Sequence, residues 1–216
     1  MSKGEKTREK ILAKAVNLAS VTGLEDLTIG KLAKATKLSK SGLFAHFNSK
    51  KSLQEQVIKT VSELFMKEVM NPAVKEPRGV PRIRAIFRNW KEWIDGGSVP
   101  GGCLTIASAL EFDDRPGTVR EKIVEMVQDL LDMLSKTARI AVYEGHFNQK
   151  TDSRQFAYEF VSLICGYHLH SRLLNDPKSE ERSEEALDRL IAEYSSGQAA
   201  ETNGIKADGR MTTDKF

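Results

Sequence analysis

Residues 28–47, TIGKLAKATKLSKSGLFAHF, place hydroxyl, lysine and small apolar side chains in an order suited to binding phosphate. Thr28 and Ser39 each stand where a helix cap is expected, and Lys40 directly follows the second cap. A helix N-terminus carries free N–H groups and a partial positive charge, to which a lysine adds a full charge. The segment therefore predicts a phosphate contact. The simpler interpretation is two structural caps and a solvated lysine.

The same segment predicts two short helices joined by a tight turn. Ala33 is small enough for the two backbones to approach, a turn falls at residues 36–38, and Leu43 can close the corner between the helices. Such a pair presents its second helix outward, and an α-helix fits the major groove of duplex DNA. Double-stranded DNA is therefore the expected phosphate partner.

The charge distribution agrees with a nucleic-acid partner at the N-terminal end. Residues 1–56 hold eleven Lys/Arg against five Asp/Glu, a net charge of +6, whereas the other 160 residues hold 22 against 25, a net charge of −3. A basic N-terminal segment on a mildly acidic remainder suggests that only the N-terminal segment binds a polyanion. A solvated, lysine-rich surface would give the same balance.

The rest of the chain is patterned for helices, with apolar residues recurring every three or four positions and no sustained strand-like alternation. We expect an all-α protein whose first helix is capped by Thr7 and ends at Gly23. Residues 71–81 hold three prolines and one glycine, which predicts a loop and an internal boundary. The last two helices are expected over residues 156–174 and 186–194. The apolar runs are too short to span a bilayer, and the two cysteines suggest a reducing, cytoplasmic setting.

From about residue 7 to 58 the chain resembles the N-terminal DNA-binding domain of the TetR family of transcriptional regulators. The resemblance is carried, in order, by Gly23, Thr28, Ile29, Leu32, Ala33, Leu38, Ser39, Lys40, Leu43, Phe44, Ala45, His46, Phe47, Ser49, Lys50 and Leu53. Residues 101–103 and 111–117 resemble a C-terminal pattern in one branch of that family. The resemblance implies a three-helix helix-turn-helix head over residues 5–50 and a larger helical ligand-binding and dimerisation body over residues 51–195. Residues 196–216 are expected to form a disordered tail.

Two positions depart from the family pattern. Lys37 occupies the turn position that is usually glycine, and a left-handed conformation there costs a non-glycine residue roughly 1 kcal/mol. Phe44 occupies a position that is usually tyrosine, so it cannot donate a hydrogen bond to a phosphate. Phe44 can still contact a thymine methyl group or a sugar.

Residue by residue, the resemblance implies a set of DNA contacts. Thr28 would offer its backbone N–H to a phosphate, His46 would lie near the DNA backbone, and Lys50 would bind phosphate at the start of the fourth helix. The residues facing the groove would be Lys40, Ser41, Gly42 and Phe44.

A ligand pocket is expected among the helices after Pro81. The candidate lining residues are aromatic, sulfur-containing or titratable: Trp90, Trp93, Cys103, Phe112, Met126, Tyr143, Phe160, Tyr167 and His168. Ordinary core or dimer packing is the alternative for each of them. No metal site is expected, because His168 and His170 point about 200° apart on a helix and Cys165 with His168 gives two ligands where zinc needs three or four.

Together these features predict a ligand-responsive regulator, most simply a repressor, that binds a palindromic operator as a homodimer through residues of about 153–194. The effector would be a small apolar or amphipathic molecule, with no cofactor and no membrane contact. Two other classes remain open: a helical enzyme or carrier with an incidental basic face, and a non-specific architectural DNA binder. No catalytic signature is present to support an enzyme.

Overall fold

The structure is a computed structural model that describes residues 3–195, and that part of the chain is all-α, as predicted. Residues 196–216, predicted to form a disordered tail, lie outside the described residues. The helices are α1 (Lys3–Thr22), α2 (Ile29–Thr36), α3 (Lys40–Phe47), α4 (Lys50–Phe65), α5 (Asn71–Val74), α6 (Val80–Gly96), α7 (Leu104–Glu111), α8 (Thr118–Tyr143), α9 (Ser153–His168) and α10 (Ser179–Ser195). Two π-helical segments, Met66–Met70 and Leu169–Leu173, extend α4 and α9.

Hydroxyl caps start the second, third and fourth helices. The side-chain oxygens of Thr28, Ser39 and Ser49 each accept a hydrogen bond of 3.1 Å from the backbone N–H three residues later. These bonds satisfy N–H groups that have no partner inside the helix. The predicted caps at Thr28 and Ser39, and the predicted start of α4 at Ser49, are therefore confirmed.

The prediction that Thr7 caps the first helix is wrong. Helix α1 already begins at Lys3, so Thr7 lies inside it. Glu5 lies in the first turn, where a carboxylate interacts favourably with the positive end of the helix dipole. The residues directly before Thr7 thus belong to the helix, and its first described turn is residues 3–6.

The loop predicted over residues 71–81 is shorter than expected. The chain stays helical through Met66–Met70 and Asn71–Val74, with Pro72 near the start of α5 directly after the π-helical segment. The break falls between α5 and α6, at residues 75–79. The last helix is also longer than predicted, since α10 begins at Ser179 rather than near Ala186.

The head consists of α1 to α3, and α4 joins it to the body. Helix α4 packs against α1 on the head side and against α8 in the body, while α9 packs against α8, α6 and α10. The body core is aromatic: the rings of Trp90 and Trp93 meet Phe65 edge-on at centroid distances of 4.9 and 6.3 Å. Among residues 3–195, no helix is both long and apolar enough to span a bilayer.

Candidate DNA interface and body cleft

Helix α3 is anchored on one side and open on the other. Leu43 and Phe47, one helical turn apart, are fully buried and hold α3 against the rest of the head. Lys40, Ser41 and Phe44 lie on the open side, and 52% of the Phe44 side chain remains exposed. A half-exposed phenylalanine on a short, capped helix gives this face an apolar centre beside a lysine and a hydroxyl.

The turn between α2 and α3 falls at the predicted residues and has a left-handed residue despite the missing glycine. Lys37 is left-handed, with φ 57° and ψ 29°, and its N–H donates to the carbonyl oxygen of Ala33. The next residue, Leu38, donates its N–H to the same oxygen at 3.2 Å. A lysine therefore occupies a left-handed position that usually favours glycine, and its side chain is exposed at the turn.

Three lysines around this turn carry charges with no ion-pair partner in the described part of the chain: Lys34, Lys37 and Lys40. Lys31, by contrast, is paired with Asp26. Sequence reasoning identified only Lys40 as a contact. The other two could have been found from their spacing, because positions 34, 37 and 40 lie before, within and after the same turn.

The predicted contacts at the edge of the head lie in different settings. The hydroxyl of Thr28 is already used as a cap by the N–H of Lys31, and His46 is half-buried. The ammonium group of Lys50 lies 2.7 Å from a carboxylate oxygen of Glu25. This hydrogen bond is the main reason that the pKa of Glu25 lies below its ordinary value. Lys50 therefore shares its charge with an acid of the head.

A carboxylate from the body holds the head in place. Glu111, the last residue of α7, accepts hydrogen bonds from the backbone N–H groups of Leu24 at 2.7 Å and Glu25 at 3.2 Å. Gly23, with φ +89°, leaves the space that this side chain fills, because a Cβ there would lie 2.6 Å from a Glu111 oxygen. A second link runs from the N–H of Gly101 to the hydroxyl of Ser20 at 3.0 Å.

The body contains a cleft of about 620 Å³ between α4, α7, α8 and the start of α9. Its volume is in the range of small-molecule sites. The lining residues are Ser62, Phe65, Met66, Thr105, Met126, Asp129, Leu130, Asp132, Met133, Lys136, Arg139 and Arg154. The floor is apolar, and the charged side chains form an exposed rim.

Of the predicted ligand contacts, Met126 lines this cleft. Trp90 and Trp93 are buried behind it, in contact with the lining residue Phe65. Both indole N–H groups are buried without a hydrogen-bond partner among the described residues. Their candidacy stays a prediction, since a buried donor beside a cleft suits either packing or a ligand.

The other predicted contacts lie elsewhere. Four are buried in the core: Cys103, Phe112, Phe160 and Tyr167. Burial raises the pKa of the Cys103 thiol, and it lowers the pKa of the half-buried His168. Tyr143, the last residue of α8, is 84% exposed and lines no part of the cleft. Within residues 3–195, no group of three or more His, Cys, Asp or Glu side chains is arranged to hold a metal ion.

Comparison with known proteins covers both halves of the chain. Residues 11–57 match the family model described as "Bacterial regulatory proteins, tetR family", and residues 79–187 match "Tetracyclin repressor-like, C-terminal domain". The chain is also similar to the Staphylococcus aureus protein IcaR, described as the biofilm operon icaADBC HTH-type negative transcriptional regulator. The two are 38% identical over 162 residues, which cover 75% of this chain and 82% of IcaR.

Solved structures share the fold. A TetR transcriptional regulator from Chloroflexus aurantiacus superimposes with a TM-score of 0.79 at 23% identity, covering 89% of this chain and 96% of that one. The structure of AibR in complex with isovaleryl coenzyme A and operator DNA superimposes with a TM-score of 0.64 at 20% identity, covering 87% and 97%.

Proposed function

Since this chain belongs to the TetR family of DNA-binding transcriptional regulators, we propose that it is a repressor that binds an inverted-repeat operator as a homodimer and is released by a small-molecule effector. Its family makes it a regulator rather than an enzyme. A protein that binds chromosomal DNA acts in the cytoplasm of a bacterium. IcaR is described as a negative transcriptional regulator, which supports repression as the proposed activity.

The observation that carries the proposal is the exposed face of α3. Leu43 and Phe47 fix the helix while Lys40, Ser41 and Phe44 stay available, which suits insertion into a major groove. Gly42 lies on the same exposed side and lets the DNA approach the helix backbone closely. Lys34 and Lys37 extend the positive surface towards the flanking phosphates.

Contacts at the edge of the head would bind the DNA backbone and position the protein, without distinguishing one base sequence from another. Thr28 can offer a backbone N–H at the start of α2, and His46 lies near the end of α3. Lys50 can reach a phosphate only by sharing or leaving Glu25, so we expect it to contribute less than Lys40.

The homodimer would form through residues of about 153–194, within the proposed body of residues 51–195. An apolar surface is exposed on this part of the chain, with Tyr158 65%, Leu169 48%, Leu173 71% and Leu174 57% accessible. Such side chains on a helix face suit an interface with an identical copy. Two heads related by a two-fold axis read two inverted half-sites.

The effector would bind the body cleft. Helix α4 runs from Lys50, beside Glu25 in the head, to Phe65 and Met66 in the cleft lining. Helix α7 carries Thr105 in the lining and Glu111 at the head. An occupant that favours one arrangement of these helices shifts the head spacing by its differential affinity for the two states. That AibR was solved with both isovaleryl coenzyme A and operator DNA supports a ligand-linked body for this fold.

Selection of the purified protein on random duplex DNA at near-physiological salt tests the proposal directly. We expect enrichment of an inverted repeat, with half-sites about one helical turn apart, or a multiple of that spacing. Binding that enriches no sequence and vanishes as salt rises would indicate an architectural binder instead. Static light scattering of the same sample, free and with the selected duplex, measures how many chains bind each site.

Lys40→Ala tests the assignment of the DNA surface on the selected operator. We expect weaker binding with an unchanged dimer, because Lys40 lies on the exposed face of the head. Lys75→Ala, which removes an equally exposed and unpaired charge after α5, is the matched control and should bind normally. Loss of the dimer in Lys40→Ala, or equal weakening in both variants, would contradict the assignment.

A further inference from the structure

The rim of the body cleft is strongly positive at one end. Lys136, on α8, has no ion-pair or hydrogen-bond partner in the described part of the chain. Arg139, almost one turn later, donates to the uncharged hydroxyl of Ser135 at 3.1 Å. Arg154, from α9, lies 3.3 Å from a carboxylate oxygen of Asp132. This end of the rim therefore carries three cationic side chains and one carboxylate.

The opposite end of the same rim is acidic. Asp129 lies seven residues before Lys136 on α8, which places it about 10 Å away along the helix axis. It has no ion-pair partner among residues 3–195. A ligand with an anionic group at each end would place one of them beside this free carboxylate, where like charges repel.

Between the two ends the cleft floor is apolar and adaptable. Leu130 and Met133 line one side from α8, with Met126 almost one turn beyond Asp129. Phe65 of α4 and Met66 of the following π-helical segment line the other side. Methionine side chains are flexible and polarisable, so they follow the shape of an unbranched chain well. This floor offers a path for an alkyl group that leads away from the cationic end.

We propose that the cleft binds an elongated amphipathic molecule with a single anionic head, a carboxylate or a phosphate, held at Lys136, Arg139 and Arg154. Its alkyl chain lies over the methionines towards Asp129. This inference rests on the effector role proposed above for the cleft, and it adds the charge and polarity of the effector. Arginine and lysine both form charge-assisted hydrogen bonds to carboxylate and phosphate oxygens.

Calorimetric titration of the full chain with decanoate, below its micellar concentration, tests the proposal. The control ligands are decanol, which is neutral, and decyltrimethylammonium, which is cationic. We expect saturable decanoate binding, with decanol at least about tenfold weaker and decyltrimethylammonium weaker still. Decyl phosphate shows whether the head is a carboxylate or a phosphate. Trp90 and Trp93, the two tryptophans of the chain, contact Phe65 and give a fluorescence readout.

Variants of the rim locate the head. Lys136→Gln and Arg139→Gln should each weaken decanoate binding by about fivefold to tenfold. Lys122→Gln, on the same helix but outside the cleft lining, is the matched control and should bind like the parent chain. Asp129→Asn should leave decanoate binding intact and admit decanedioate, a dianion that we expect the parent chain to exclude.

The outcomes separate this inference from the proposed function. Decanol binding as tightly as decanoate, unchanged affinity in both Lys136→Gln and Arg139→Gln, or no binding by any anionic probe would overturn the inference. Operator binding by the same sample would leave the DNA-binding proposal standing. Charge-dependent decanoate binding that does not alter operator affinity would support the inference about the cleft and contradict its role in release.

Discussion

The carboxylate of Glu111 links the body to the head, so Glu111→Ala should lower the free energy of unfolding by about 2–3 kcal/mol. It accepts bonds of 2.7 and 3.2 Å from the N–H groups of Leu24 and Glu25. A hydrogen bond to a charged group contributes about 1.5–3 kcal/mol. Because Glu111 is half-buried, water can replace part of the longer bond. The expected loss of stability is therefore well below twice the upper value for a single bond.

Glu111→Gln separates the charge from the geometry. Glutamine keeps one acceptor oxygen of nearly the same shape, so it should retain the bond to Leu24 and lose about half as much stability as alanine. Urea unfolding followed by circular dichroism reports on all helices. Tryptophan fluorescence reports on the body alone, because Trp90 and Trp93 both lie in α6. In Glu111→Ala the two transitions should separate as the head unfolds first.

Glu63→Ala is the control for this comparison. Glu63 forms an exposed ion pair with Lys59 at 3.9 Å, and exposed pairs of this kind contribute less than about 1 kcal/mol. If Glu111→Ala lost no more stability than Glu63→Ala and both probes gave one common transition, the linking role of Glu111 would be refuted.

Four further perturbations test other parts of the molecule. Lys37→Gly should stabilise the head by up to about 1 kcal/mol in thermal unfolding, because glycine relieves the left-handed turn, and a loss of stability would contradict this. Leu173→Glu should convert the proposed dimer to a monomer in analytical ultracentrifugation, whereas Val74→Glu, at another exposed apolar residue, should not. The Cys103 thiol should react with a disulfide reagent far more slowly in the folded than in the urea-unfolded chain, because burial raises its pKa and lowers its thiolate fraction. In Lys40→Ala the slope of log affinity against log salt should fall by about 2 for a dimer, one lost phosphate contact in each half-site.

The head could be predicted from sequence because its determinants are local. The caps at Thr28 and Ser39 act on residues three positions away, and the Lys37 turn closes on Ala33. Leu43 and Phe47 share one face of α3 by helical spacing alone. Where local reasoning failed, as at Thr7, the helix continues towards the N-terminus through residues 3–6, with Glu5 placed favourably in its first turn.

The body could not be predicted to the same depth because its sites join distant segments. Glu111 and Leu24 are 87 residues apart, and only the fold shows that a carboxylate in an acidic run caps a backbone in the head. The cleft brings α4 to α8 and to the start of α9, so the roles of Lys136 and Arg154 have no sequence signature. Predicting aromatic residues as ligand contacts identified the tryptophans behind the cleft. It also selected Tyr143, which is exposed at the end of α8.

Two helices connect the cleft to the head, and Glu111→Ala tests the contribution of α7. Helix α4 spans 16 residues from the Lys50–Glu25 pair to Phe65, and α7 spans eight residues, from Leu104, beside the lining residue Thr105, to Glu111. Breaking the Glu111 link weakens the α7 route, which keeps the bond from Gly101 to Ser20, and leaves α4 in place. We therefore expect the ratio of operator affinities without and with decanoate to fall towards one in Glu111→Ala. By thermodynamic reciprocity, the ratio of decanoate affinities without and with the operator should fall by the same factor. An unchanged ratio, in a variant that still binds both partners, would show that the Glu111 link does not carry the coupling.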